Sequence, residues 1–229
     1  MSYTYDYPRP ALTVDAVIFG LDEDELKILL IQRAGEPFKG SWAFPGGFVE
    51  MDETTEEAVQ RELEEETGIK DVFLEQLYTF SGVQRDPRER VVSVAYFGLV
   101  KPSGLRMAAA SDAQDVRWFA IDQIPDLAFD HREILQVALK RLRGKIRYEP
   151  IGFELLPPEF TMSQLLRLYS NALGKPVDKR NFIRKIKKFG ILNELPKKRR
   201  DGAHRPATLY SFNGEKYRQL KQAGIDFEL

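Results

Sequence analysis

The 229-residue chain has no cysteine and only two histidines. Without cysteine there is no disulfide framework and no thiolate metal site. No apolar run approaches the ~18–20 residues that a transmembrane helix needs. The N-terminus also lacks a signal-peptide pattern. Internal repeats and low-complexity tracts are absent. The expectation left standing is a soluble, cytoplasmic protein with no membrane partner, built as one large domain or two small ones. Apolar residues make up 43% of the chain and charged residues 30%, which are ordinary globular values, so bulk composition selects no function.

Charge of one sign is scarce only locally. Residues 151–229 carry 16 Lys and Arg against 8 Asp and Glu, a net of +8. Residues 1–150 carry 18 against 27, a net of −9, so the overall −1 hides a split. Opposite charge in two parts suits two domains with different partners. The alternative is two halves that neutralise each other across an interface. Clustering of the basic residues favours the first reading.

Along the chain, ALTVDAVIFG (11–20) and LKILLIQR (26–33) read as strands joined by a hairpin turn. PFKGSW is a loop, and AFPGGFVE (43–50) a short strand ending in glycines. Residues 72–80, 91–100 and 115–122 read as further strands, with VQRDPRER as a polar loop. Apolar positions 134, 135, 138, 142 and 146 recur with a helical period in a helix over 131–147. His131 opens that helix as a cap-region residue. Pro157-Pro158 punctuates the chain. Helices at 161–173 and 179–189 and over EKYRQLKQAG follow. The boundary falls at 150, giving domains 1–150 and 151–229.

Within GGFVEMDETTEEAVQRELEEETGI, Thr54 and Glu57 form a capping box for a helix start. Gly68 suits the position that ends it. Glu62, Glu65 and Glu66 lie at i, i+3 and i+4, so their carboxylates share a face, and Val59 and Leu63 make the adjacent apolar stripe. A solvated acidic face is the ordinary outcome for a glutamate run. Carboxylate oxygens in such a cluster are also the ligands that Mg²⁺ or Mn²⁺ takes. Spacing decides between them. Gly47, five residues, Glu53, seven residues, then Arg61-Glu62-Leu63-x-Glu65-Glu66-x-Gly68-Ile69 resembles the Nudix box at every position. Its seven fixed residues arise by chance on the order of 10⁻⁹ per start point.

The resemblance implies an α/β fold of the α+β kind, an α/β/α sandwich on a mixed sheet, with the box as loop–helix–loop. It implies a divalent metal on Glu65 and Glu66 with Glu62 as a further ligand, Arg61 orienting a glutamate, and Glu53, Gly47 and Gly68 supporting the loop. The catalytic set it implies is Glu62, Glu66 and Arg61, for hydrolysis of a diphosphate joined to a second group. Pro87, about 18 residues past the box, resembles a proline common in ADP-ribose pyrophosphatases. Arg85, Arg88 and Arg90 are candidates for phosphate contact, the alternative being solvated loop charges.

In KRNFIRKIKKFG, Phe182, Ile183, Ile186 and Phe189 recur at helical spacing and face a small core with Leu165, Leu166, Leu168 and Tyr169. Asp178 is the N-cap. The other face holds Lys179, Arg180, Asn181, Arg184, Lys185 and Lys188. Two helices joined by a short turn, the second basic at its start, form a helix-turn-helix whose second helix reads the major groove. Arg and Asn are the types that read guanine and adenine. Asp201-Gly202 then marks a hairpin, making a wing that carries Lys197, Lys198, Arg199, Arg200 and Arg205. A disordered basic loop is the alternative for KKRR. His204 suggests neither metal nor catalysis.

Taken whole, the chain resembles the Nudix-related transcriptional regulators of bacterial NAD metabolism. The resemblance runs through RDPRERVVSVAYFGLV, HREILQVALKRLRGKIRYEPIGFELLP, LGKPVDKRNFIRKI and HRPATLYSF. It implies a homodimer that binds a palindromic operator and answers to ADP-ribose or a related NAD-derived effector, as a repressor. A sister group with the same architecture responds to sugars. Many members have a decayed box, and this one is complete. Two functions therefore stand open, a sensor acting on DNA and a magnesium-dependent ADP-ribose pyrophosphatase.

Overall fold

In the computed structural model, the apolar run at 11–20 is the body of strand β1 (Ala11–Asp22). The structure describes residues 5–22, 25–102, 113–200 and 206–224. Residues 14–20 are all buried, as expected of a central strand covered on both faces. Beside β1 lie β2 (Glu25–Arg33) and β5 (Val91–Val100); beyond them come β3 (Trp42–Ala43), β4 (Leu74–Phe80) and β6 (Ala113–Ala120). The order is β3-β2-β1-β5-β4, with β6 also on β2. Strand β1 runs parallel to β5, from Ala11↔Val91 to Gly20↔Val100. β2 pairs antiparallel with β3 and β6, as does β4 with β5. The sheet is therefore mixed.

Alternation along β1 divides its side chains between two faces. Val14, Ala16 and Ile18 join Ala58, Val59 and Leu63 of helix α1 (Thr55–Thr67) in one buried cluster. Asp15 is of the opposite parity and meets His131, the first residue of helix α2 (His131–Tyr148). The expected strand over 43–50 is corrected. Only Trp42–Ala43 pair with β2, and one bridge joins Phe48 to Thr13. Beyond β3 the chain runs along β1 without forming a strand, with Ala16 N–H donating to Pro45 O at 2.8 Å, Val14 N–H to Gly47 O at 2.9 Å and Val49 N–H to Leu12 O at 3.0 Å.

The chain divides into two compact units, Met1–Gly20 with Lys27–Ala138, and Leu21–Leu26 with Leu139–Leu229. The second continues through a 3-10 turn (Ile151–Leu155), β7 (Phe160–Thr161), α3 (Met162–Leu173), α4 (Lys179–Phe189), β8 (Leu192–Arg199), β9 (Ala207–Phe212) and α5 (Gly214–Gln222). Its sheet has the order β7-β9-β8. Phe182 and Ile186 of α4 are buried with Leu165, Leu168 and Tyr169 of α3, and the Tyr169 and Phe182 rings are 5.0 Å apart. Each of the Phe, Ile and Leu side chains contributes about 1.5–3 kcal/mol by leaving water. Ile183, Phe189 and Leu166 are half-buried. The Asp178 side chain accepts the Asn181 N–H at 2.7 Å as the cap of α4.

Candidate functional site

Helix α1 begins in a reciprocal cap. Glu57 N–H donates to Thr54 Oγ1 at 3.2 Å, and Thr54 N–H to Glu57 Oε2 at 2.8 Å. Gly68, at φ 74, ends it in the left-handed conformation that glycine favours. The loop before α1 folds back onto the helix it precedes. Gly46 N–H donates to Glu66 Oε2 at 2.8 Å. A Cβ at Gly47 would stand 2.3 Å from Glu62 Oε1, so a larger residue there would push the Glu62 carboxylate from its place.

Arg61 ties the arrangement together. Its Nε and Nη2 grip Glu53 Oε2 and Oε1 at 3.0 and 2.7 Å. Its Nη1 reaches Glu62 Oε1 at 2.8 Å and Glu65 Oε2 at 3.3 Å, and Nη2 also donates to Phe48 O at 3.1 Å. The Arg61 hydrogen bonds push the Glu53 carboxyl down to about 2. The same bonds to Glu53 raise Arg61. Burial pushes Glu62 up, outweighing the pull of Arg61.

Glu66 is buried, while the Glu65 side chain is 50% exposed. Hard carboxylate oxygens on one helical face fit Mg²⁺ or Mn²⁺ in donor type. Among the described residues, no group of three or more His, Asp or Glu side chains is arranged as a ready metal cluster. Arg61 instead engages Glu62 and Glu65.

Gly46, Gly47, Arg61, Glu62 and Glu66, but neither Glu53 nor Glu65, line a cavity of about 550 Å³. Its far wall is a buried network that sequence reading missed. Arg85 donates from Nε and Nη2 to Asp130 at 2.9 and 2.7 Å, and its Nη2 lies 3.6 Å from Asp15 Oδ2. Ser93 Oγ donates to the same carboxylate, and His131 Nε2 lies 3.3 Å from its Oδ1. Phe44 N–H donates to His131 Nδ1 at 3.0 Å, so the ring proton sits on Nε2. Burial works to raise the Asp15 carboxyl, but His131, Arg85 and Ser93 together hold it below the usual range. His131 does open α2; its ring, however, belongs to this wall. A lone carboxylate in the apolar run ALTVDAVIFG was the available signal, since a buried charge requires partners.

Of the three candidate arginines, Arg85 and Arg88 line the cavity. Arg88 clasps Asp86 at 3.0 and 2.7 Å and lies over the Phe48 ring at 5.3 Å. Arg33 lies over Phe129 at 4.9 Å, and Phe129 meets Phe38 edge-on at 4.8 Å. Guanidinium groups beside aromatic faces suit a ligand with phosphates and a base. Arg90 is corrected. It donates to the carbonyls of Ser81, Gly82 and Val91 and is not among the lining residues.

In the second unit, Lys179, Arg180, Asn181, Arg184, Lys185 and Lys188 are all exposed, while Phe182 and Ile186 of the same helix are buried. Arg184 Nη2 donates to Asn181 Oδ1 at 3.0 Å. Lys198, Arg199 and Arg200 are exposed at the end of β8, paired through Lys198↔Thr208 and Arg199↔Ala207 with β9. Lys197 bonds Glu159 at 3.0 Å. Arg205, His204 and the Asp201-Gly202 turn lie outside the described residues. Among the described residues, no helix is long and apolar enough to cross a membrane.

A mixed sheet carrying this loop–helix–loop, followed by two helices and a hairpin, defines a Nudix protein with a winged helix. Residues 10–138 match the NUDIX domain, and residues 152–212 match the NrtR DNA-binding winged helix domain. The chain belongs to the Nudix family. It is homologous to the ADPR responsive transcriptional repressor NtrR of Acinetobacter baylyi, 39% identical over 93% of this chain and 86% of that one. It is similar to Shewanella oneidensis NrtR, solved with a 27mer DNA, at TM-score 0.76 and 35% identity, covering 90% of this chain and 95% of that one. The Nudix domain of that protein, solved with ADP ribose, matches at TM-score 0.55 and 38% identity over 60% of this chain and 94% of that one. The ADP-ribose pyrophosphatase of Methanocaldococcus jannaschii is 43% identical over 60% of this chain and 78% of that one. Nudix hydrolases generally use divalent metal ions.

Proposed function

We propose that this chain is a transcriptional regulator of NAD metabolism, acting as a repressor. Its Nudix domain, residues 1–150, receives ADP-ribose or a related NAD-derived nucleotide. Residues 151–229 bind a palindromic DNA operator, as a homodimer in the cytoplasm. One observation carries the reading. A single chain joins a cavity lined by Arg85, Arg88 and aromatic rings to a separate unit with the exposed cationic face of α4. Arg85 spends Nε and Nη2 on Asp130, which leaves Nη1 for an anionic ligand. Lys179, Arg180, Asn181 and Arg184 would reach base edges, with Lys185, Lys188, Lys198, Arg199, Arg200 and Arg205 on phosphates. The test is fluorescence anisotropy with a duplex from upstream of the gene and a scrambled one. The upstream duplex is expected to bind preferentially, with a steep salt dependence, and ADP-ribose to weaken it. Equal affinity for both duplexes, or no response to ADP-ribose, overturns the reading.

A second reading, hydrolysis of ADP-ribose, is favoured by the complete box. Glu62, Glu65 and Glu66 would hold magnesium or manganese, which when bound neutralises the diphosphate and acidifies a water. The chain's own part is to aim. Arg61 fixes Glu62 and Glu65, and the Gly46 N–H fixes Glu66. Glu62 or Glu66 takes the proton of the attacking water. Water adds across the diphosphate bridge and gives AMP and ribose 5-phosphate. Product analysis with Mg²⁺ tests this, and Glu66→Gln should abolish turnover. No turnover by the wild type ends the enzyme reading and leaves the sensor intact.

A further inference from the structure

The C-terminal half of helix α2 has a charged face that the readings above leave unused. Leu142 and Ile146 are fully buried. Around Gly152, where an added Cβ would stand, lie Leu168 at 3.0 Å, Ile146 at 3.3 Å and Tyr169 at 3.6 Å. That contact seats the C-terminal half of α2 on α3 within the second unit. A different face of the same half-helix is cationic. Lys140, Arg143 and Arg147 are exposed, and spacings of three and four put them on one stripe. None of the three has a hydrogen bond or ion pair among the described residues.

Arg143 gives the stripe its direction. Its Nη2 lies 2.8 Å, and its Cζ 3.4 Å, from where a Cβ of Gly174 would stand. Gly174 caps α3 at φ 67, and the next four residues end at Asp178, the cap of α4. Arg143 therefore flanks the turn that delivers the N-terminal end of α4. Lys175, Lys179 and Arg180 continue the exposed charge beyond it. Among the described acids of these elements, Glu149 lies 3.6 Å from Lys145 and Asp178 accepts the Asn181 N–H at 2.7 Å. Unneutralised cations in a row fit a partner with regularly spaced negative charge, and duplex DNA carries one phosphate per ~1.7 Å of axis.

We propose that Lys140, Arg143 and Arg147 form a sequence-independent contact to DNA phosphates beside the base-reading helix α4. The proposal rests on the DNA-binding reading above. The stripe sets affinity and register, while α4 sets sequence preference.

The test uses the full chain and anisotropy titrations of the upstream and scrambled duplexes between about 50 and 200 mM salt. Arg143→Gln is expected to weaken both duplexes by the same factor and to reduce the salt slope by about 0.9; glutamine at all three positions should reduce it by about 2.7. The ratio between duplexes and the calorimetric affinity for ADP-ribose should stay as in the wild type. Arg143→Lys should keep the wild-type slope, because a point charge is enough for a phosphate. An unchanged slope in both glutamine variants, or a change confined to the upstream duplex, overturns the proposal. If Arg184→Ala loses duplex preference while the glutamine variants behave as wild type, only this proposal fails. A wild type that binds neither duplex fails the regulator reading and this proposal with it.

Discussion

Arg85 and Arg143 are the same residue type in opposite situations. The Arg85 side chain is 5% exposed and locked to Asp130. Arg143 is exposed and has no ion pair among the described residues. A small ligand enters a cavity where charge has already been desolvated and aimed, so binding costs little reorganisation. A polyanion meets flexible cations on an open surface and gains from released counterions. The Nudix unit is built the first way at Asp15, Arg85 and Asp130, while Arg88 is exposed and held by the buried Asp86. The winged unit is built the second way, through α4 and the end of β8. Buried pairs give specificity that salt barely touches, and exposed cations give affinity that salt removes.

The largest effect expected from breaking this contrast is in the cavity. Asp130→Ala strands a buried guanidinium and should cost about 3 kcal/mol of Nudix-unit stability in urea unfolding, the low end of the range because Asp15 remains nearby. A loss below about 0.5 kcal/mol, typical of surface pairs, would mean that Arg85 is not held as described. Next is Arg184→Ala on the exposed face of α4. Upstream-duplex affinity should fall about tenfold, within the ~1–3 kcal/mol of a base contact, with scrambled-duplex affinity changing far less. Thr54→Ala removes the side chain that caps α1 and should cost about 1 kcal/mol by thermal unfolding, with Thr54→Ser close to wild type.

The smallest effect is in acid. The Glu53 carboxyl is held at about 2, below its ordinary 4.5. Its contribution to stability is therefore complete above pH 4.5 and is lost as pH falls toward 2. The stability gap between wild type and Glu53→Gln should be flat at neutral pH and close only at the acid end. A gap already closed at pH 4 would show that Arg61 does not grip Glu53.

Local chemistry made part of this structure legible in advance. Thr54, Glu57 and Gly68 announce α1, and Asp178 with Phe182 and Ile186 announces α4, because caps and faces depend on residues within one or two turns. The cavity wall is different. Ser93 reaches Asp15 across 78 residues, and Phe44 reaches His131 across 87. No local pattern carries such pairings. Arg85, Arg88 and Arg90 sit in one polar loop and look alike in sequence. Their fates differ because the fold brings Asp130 to the first, Asp86 and Phe48 to the second, and three carbonyls to the third. The two-residue strand β7 was missed for a related reason, since its pairing with β9 lies about fifty residues ahead: Phe160↔Tyr210 and Thr161↔Leu209.

One titration tests the central claim that the cavity reports a nucleotide to DNA. Affinity for the upstream duplex is measured at fixed salt, with and without saturating ADP-ribose, in the wild type and in Arg88→Ala. The wild type is expected to lose affinity within the 5–150-fold span of about 1–3 kcal/mol of coupling. Arg88→Ala should match its nucleotide-free affinity and lose most of the response. Identical affinity with and without ADP-ribose in the wild type would contradict the account.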